Sequence, residues 1–219
     1  MIISFGRKFV FVHIPKTGGT ALSLALEARA MKDDILIGDT PKARRRKRRL
    51  HGLKTKGRLW KHSTLSDIDG LVSPGELEQL YCFTLVRNPW DRVVSYYHWL
   101  QDQNFEHPAV DLAKTLDFNA FVQHPATLTS FQTHPAAHYL VDATGQDRSA
   151  LFIRLEHFDE DSQPLFQHLG FRVQMSRANP SKRDRDWRPY YSDAAAQALA
   201  HACTDDITQF GYTFDDPIA

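Results

Sequence analysis

Two short apolar runs in this chain each end directly in a helix-start signal, and that junction, made twice, constrains the fold more than any other feature. Residues 9–14 (FVFVHI) are a Phe/Val/Ile run interrupted only by His13, between Arg7-Lys8 and Pro15, the pattern of a strand buried on both faces. The loop PKTGGT follows. From residue 20 to about 30, Leu22, Leu24, Ala25, Leu26 and Ala28 are strong helix formers, and Thr20 stands where a cap is needed. Residues 81–86 (YCFTLV) are the second run. Asn88-Pro89 then offers a cap and a first-position proline, and Trp90, Val93, Val94 and Tyr97 fall at i, i+3, i+4 and i+7, one apolar helix face.

The remaining signals extend this alternation. Ser73-Pro74-Gly75-Glu76 combines a Ser cap, an early proline and a glutamate three residues after the cap, which predicts a short helix to about residue 80. Residues 150–155 (ALFIRL) read as a third strand, followed by a helix from about residue 161 that Gly170 ends. Ser192 caps an Ala-rich helix whose buried stripe is Ala195, Leu199, Ala202 and Cys203, with Gly211 as its stop. Short apolar strands alternating with helices predict an α/β fold with a central parallel β-sheet flanked by helices. Ligands in that class bind where strand carboxyl ends meet helix starts.

Composition bounds the rest. The chain has 219 residues, 42% apolar and 24% charged, the balance of a globular protein, and one domain over residues 1–219 is expected. No run approaches the ~18 apolar residues of a membrane helix, and the amino-terminal residues lack the features of a signal peptide, so a cytoplasmic location is expected. Cys82 and Cys203 are far apart in apolar contexts and read as packing residues. The net charge of +1 conceals an asymmetry: residues 42–61 hold 11 Lys/Arg and no Asp/Glu, leaving 16 basic against 26 acidic residues elsewhere.

The first loop, residues 13–20, is an anion cradle by chemistry: glycines let backbone amides converge, a helix start presents unpaired N–H groups, and Lys16 adds a charge. A nucleoside-triphosphate loop of the GxxxxGK(S/T) kind places its lysine after the glycines, whereas Lys16 precedes them. The alternative is a glycine turn with a solvated lysine. In the second loop, Arg87 ends a strand and Ser95 lies two turns into the next helix, a guanidinium and a hydroxyl suited to a phosphate monoester. The alternative makes Arg87 an ion-pair partner of Asp91.

FVHIPKTGGTAL followed some seventy residues later by FTLVRNPWDRVVSYY resembles the paired signatures of sulfotransferases that use 3'-phosphoadenosine 5'-phosphosulfate (PAPS). The likeness is greatest to carbohydrate-type members in a compact, bacterial-style form, and it extends through LFIRLEHFDEDSQPLFQHLG and ITQFGYTF. It implies a three-layer, P-loop-like form of the α/β fold and PAPS as sulfuryl donor without a metal. It also implies that Lys16, Thr17, Gly18, Gly19 and Thr20 hold the 5'-phosphosulfate, with Lys16 at the leaving-group oxygens. Arg87 and Ser95 correspond to the pair that binds the 3'-phosphate, and Lys182, Arg183 and Trp187 lie in a region that closes over the nucleotide. His62, in WKHST, corresponds to the catalytic base; His13, Glu27 and Glu156 remain alternatives.

Three readings of the basic run stay open: a solvated loop, a landing surface for an anionic acceptor such as an acidic saccharide, and a nucleic-acid patch, the last disfavoured. The acceptor is expected to present a hydroxyl, in a pocket built from residues 31–60 and 100–145, where His98, Trp99, Phe105, His107, Phe121, His124, Phe131, His134 and His138 are candidate wall residues. Two competing functions are a P-loop nucleotide kinase and a non-catalytic anion or nucleic-acid binder.

Overall fold

The computed structural model describes residues 1–175 and 183–218. In chain order the elements are β1 (Ile2–Ser4), β2 (Phe9–Val12), α1 (Gly19–Ala28), β3 (Ile35–Leu36), α2 (Pro41–Arg46), α3 (Pro74–Leu77), β4 (Tyr81–Val86), α4 (Pro89–Gln101), α5 (Pro108–Thr115), α6 (Phe118–Gln123), α7 (Pro125–Gln132), β5 (Ser149–Arg154), α8 (Phe158–Asp161), α9 (Gln163–Leu169), α10 (Asp193–Ala202) and α11 (Thr204–Phe210), with 3-10 turns between several of them. They group into two compact units, Met1–Val86 with Ala136–Asn179 and Arg87–Pro135 with Pro180–Ala219.

The first unit carries the sheet, ordered β3-β1-β2-β4-β5. The three strands legible in the sequence, β2, β4 and β5, are its parallel part, with Val10 opposite Cys82 and Phe83 opposite Leu151. The expected central parallel sheet is present; on one side β1 and β3 add antiparallel pairs, so the sheet as a whole is mixed. β1 reaches β2 through a tight turn closed by Lys8 N–H donating to the Phe5 carbonyl, with Lys8 itself at φ 53°. Gly6-Arg7 is not one of the dipeptides that announce a two-residue hairpin, and strands of three and two residues are too short to show a period. Phe9, Phe11 and Phe83 meet at ring distances of 5.3–5.8 Å, and α1 (Leu22, Leu26) and α9 (Leu165, Phe166) contribute to the same core. Each such fully buried side chain contributes roughly 1.5–3 kcal/mol of transfer free energy.

The helix signals hold locally. Ser73 and Glu76 form the reciprocal capping box of α3, and Gly170 closes α9 at φ 73°. The helix expected from residue 161 is two pieces, α8 and α9, parted at Ser162. Cys82 is buried in this unit, and desolvation pushes its thiol up to about 12, as befits a packing residue.

The basic segment is only partly a solvated loop. Thr40 caps α2, whose Ala43 is buried, and a 3-10 turn follows over Lys47–Leu50. Lys42 donates to the Glu27 carbonyl near the carboxyl end of α1, Arg46 to the carbonyls of Met31 (2.9 Å) and Asp34 (3.0 Å), and Arg49 to that of Lys32 (2.5 Å). Cations there meet the negative end of the α1 dipole. Arg44, Arg45, Lys47 and Arg48 face solvent.

In the second unit Trp90, Val93, Val94 and Tyr97 form the buried face of α4, as their spacing predicts. Four of the residues expected to wall a pocket over residues 100–145 have local structural partners. Phe121 and Phe131 are buried against Tyr96, and Phe121 also against Tyr97, while His107 and His124 accept the Ala109 and Ala126 amides as caps of α5 and α7. Ser192 caps α10, whose predicted stripe is buried. Among the described residues no helix is long and apolar enough to cross a membrane.

Candidate active site

Between β2 and α1 the chain turns through residues 13–18. Thr17 is buried and its hydroxyl donates to the Ile14 carbonyl (2.9 Å), which ties the loop across its base. Lys16 has φ 65°, a left-handed conformation that costs a non-glycine residue on the order of 1 kcal/mol or more and that concentrates at functional sites. Gly18 has φ 85° and is the N-cap of α1 with no side-chain cap; Thr20, expected as the cap, lies one residue inside the helix. A Cβ on Gly18 would come within 2.8 Å of Leu155 Cδ1. Among the described residues the amides of Gly18, Gly19 and Thr20 have no backbone acceptor, so the positive end of α1 is left open to a ligand.

Gly19 has another reason to be glycine. A Cβ there would lie 2.0 Å from His13 Cδ2 and 2.4 Å from His13 Nε2, so the imidazole of the last loop-entry residue sits directly on the first residue of α1.

His62 stands on the other side of that imidazole. Its turn is fixed by buried Ser63, whose hydroxyl lies 2.9 Å from the carbonyls of Arg58 and Trp60 and accepts the Trp60 amide at 2.9 Å. His62 Nδ1 is 2.7 Å from the His13 carbonyl oxygen. A carbonyl only accepts, so Nδ1 carries the proton and Nε2 presents its lone pair. The His62 ring packs edge-on between His13 (4.7 Å) and Trp60 (4.9 Å). Burial pulls the His62 pKa down to about 4 against the pull of the His13 carbonyl, and Lys61 adds to the lowering. Burial, with the charges of Lys61 and Lys16 beyond it, lowers His13 well below the ordinary histidine range. Both rings are neutral at neutral pH. His13, Thr20, Ser23, Glu27 and Lys61 line a small polar cavity here. The Glu27 carboxylate accepts the Thr40 hydroxyl (2.7 Å to each oxygen), which commits it to holding α2.

In the second unit Arg87 is paired with Asp91, Nε at 2.8 Å and Nη2 at 2.6 Å from Oδ2. Arg183 Nη2 bonds the other Asp91 oxygen, so one carboxylate joins two guanidiniums. Asn88 caps α4 by accepting the Trp90 amide (3.1 Å) and donates to the Thr213 carbonyl (2.9 Å). Ser95 is half-buried on α4. Lys182 lies outside the described residues. Trp187 is 1% exposed, with Nε1 donating to the Phe214 carbonyl (3.1 Å), a core residue of its unit.

The sequence profile of the sulfotransferase family matches residues 1–212. The chain belongs to the sulfotransferase family. A solved structure of mouse sulfotransferase SULT7A1 complexed with PAP has the same fold, with a TM-score of 0.52 and 19% identity over 92% of this chain and 84% of the other. No curated protein matches the chain.

In this sulfotransferase the first unit therefore brings Lys16, Thr17, Gly18, Gly19 and Thr20 together with His62 through His13. The second unit holds Arg87, Ser95 and Arg183. Two features were not expected from the sequence: the His13 carbonyl that sets the His62 tautomer, and the bridging of Arg87 to Arg183 by Asp91. The i, i+4 spacing of Arg87 and Asp91 signalled half of that bridge.

Proposed function

We propose that the enzyme transfers the sulfuryl group of PAPS to a hydroxyl of a carbohydrate acceptor, with His62 as general base. The observation that carries this reading is the open amino end of α1 one imidazole away from a histidine whose Nε2 lone pair is fixed by a backbone carbonyl. The donor set fits a phosphosulfate: three amides at a helix start with no backbone acceptor among the described residues, and a lysine beside them. Bound PAPS supplies the activated sulfuryl group.

His62 Nε2 takes the proton of the acceptor hydroxyl as its oxygen forms the bond to sulfur. Lys16 and the amides of Gly18, Gly19 and Thr20 stabilise the negative charge that appears on the departing phosphate oxygen, a preorganised contribution of about 3 kcal/mol per well-placed donor. Thr17, whose hydroxyl is spent on Ile14, contributes its backbone. Arg87 and Ser95 are assigned to the 3'-phosphate, with Arg183 beside Arg87 on the shared Asp91.

Two features support an anionic saccharide as acceptor. Trp60 is 45% exposed with its edge against His62, a flat apolar face of the kind that stacks on a sugar ring. Arg44, Arg45, Lys47 and Arg48 are exposed on the segment that begins at Thr40, a residue of the cavity's lining. The test is PAPS turnover across acidic and neutral saccharides, lipids and small alcohols. Acidic saccharides are expected to be preferred, with KM rising steeply between 50 and 200 mM salt, on the order of tenfold or more for several charge contacts. Preference for a small uncharged alcohol with a salt-independent KM would remove the saccharide assignment and leave the basic run as support for α1.

A further inference from the structure

We propose that His13 is a second catalytic side chain, whose imidazole N–H donates a hydrogen bond to the sulfuryl group in transfer. The proposal rests on the phosphosulfate reading above. His13 is 6% exposed and lines the small polar cavity, and among the described residues no hydrogen bond fixes either ring nitrogen. A neutral imidazole offers one donor and one acceptor.

Placement says what the N–H meets. One side of the ring lies on Gly19, at the open amino end of α1, and the His62 ring is 4.7 Å away. An oxygen held by His62 that attacks a group seated at that helix end must pass alongside His13, so the ring edge meets the group in flight and not the nucleotide behind it. His13 exchanges no proton in the step. The acceptor proton goes to His62, the new S–O bond forms from the acceptor oxygen, and the electron pair of the breaking S–O bond stays on the phosphate. His13 holds charge on a sulfuryl oxygen as this happens. Burial and the nearby cations keep the ring neutral, which leaves it the single N–H that the role requires. The His13 carbonyl meanwhile orients the base, so one residue serves both partners of the reaction.

The experiment is calorimetric titration of PAPS and of PAP, which lacks the sulfuryl group, into wild type, His13→Phe and His13→Gln. His13→Phe is expected to weaken PAPS about tenfold or more while PAP changes less than threefold, because a hydrogen bond to a charged group is worth more than one factor of ten. His13→Gln, which restores an N–H, is expected to recover most of the loss, and the melting temperature of His13→Phe is expected not to fall. Where phenylalanine cannot be seated, His13→Leu serves in its place. A structural histidine would shift PAPS and PAP together or neither, and either result overturns the proposal. If wild type binds neither ligand, the phosphosulfate reading itself fails; if wild type binds both and the ratio is unchanged in the variants, only the role of His13 fails.

Discussion

His62→Ala is expected to lower turnover with PAPS by about 10²–10⁴-fold, the contribution of a positioned general base, while PAP affinity stays within a few-fold of wild type. The split between kcat and ligand affinity is the informative part. His62 faces the acceptor side of His13, and its loss leaves Lys16, Gly18 and the amides of α1 in place. The pH profile gives a second view of the same residue. In the free enzyme burial holds the His62 pKa near 4, so the acid limb of kcat/KM is expected well below the ordinary histidine value of 6.5. The sign is that of a depressed base: between pH 6.5 and 4 the unfolded chain binds a proton that the folded chain refuses, so stability also falls as pH drops through that window. The limb of kcat is expected at higher pH than that of kcat/KM, because a polyanion seated at α1 favours the imidazolium. His62→Ala with near-normal turnover would transfer the base to another group.

Lys16→Ala is the second large effect. Lys16 occupies a left-handed backbone position beside the amides that receive the leaving phosphate, and its charge acts on an oxygen whose negative charge grows only as the S–O bond breaks. Turnover is expected to fall about 10²–10³-fold, with a smaller loss of PAPS affinity. Folding stability is expected to move by less than about 0.5 kcal/mol, since alanine meets the same backbone strain at φ 65°. Equal losses in PAPS and PAP affinity with unchanged kcat would make Lys16 a binding residue only, measured by titration beside steady-state rates.

The parts of the fold that were legible in the sequence are those whose signals are local and long enough to repeat. β2, β4 and β5 are apolar runs bounded by Pro, Arg or Glu-rich segments, and α4 shows its face through Trp90, Val93, Val94 and Tyr97. β1 and β3 were hidden because three and two residues carry no period and because their pairing depends on a turn without a marker dipeptide. α5 and α7 were hidden behind histidines that act as caps before Pro108 and Pro125, a role usually filled by Ser, Thr, Asp or Asn. Two of the aromatics expected to wall a pocket, Phe121 and Phe131, are buried in packing, and sequence cannot distinguish an aromatic that lines a cavity from one that fills a core.

At the site, the cradle was legible as chemistry before it was visible as geometry: glycines, a lysine and a helix start in one loop. Its internal logic was not. Nothing in HIPKTGG says that Gly19 yields its side-chain space to His13, because that contact reaches back six residues over a turn. The His13 carbonyl that selects the His62 tautomer is a backbone group, and sequence distinguishes no carbonyl from another. The basic run shows the opposite case. Its charge was obvious, yet Lys42, Arg46 and Arg49 prove to serve carbonyls of Glu27, Met31, Lys32 and Asp34, so its excess over structural need is smaller than its composition implied.

The central claim, that this family member binds a phosphosulfate nucleotide at the Lys16–Thr20 cradle, is tested most directly by ligand-dependent unfolding with PAP and with ATP and magnesium side by side. PAP at a hundredfold excess over its Kd is expected to stabilise the protein by about 2.7 kcal/mol, with ATP and magnesium giving little or nothing. Stabilisation by ATP and magnesium with none by PAP would contradict it.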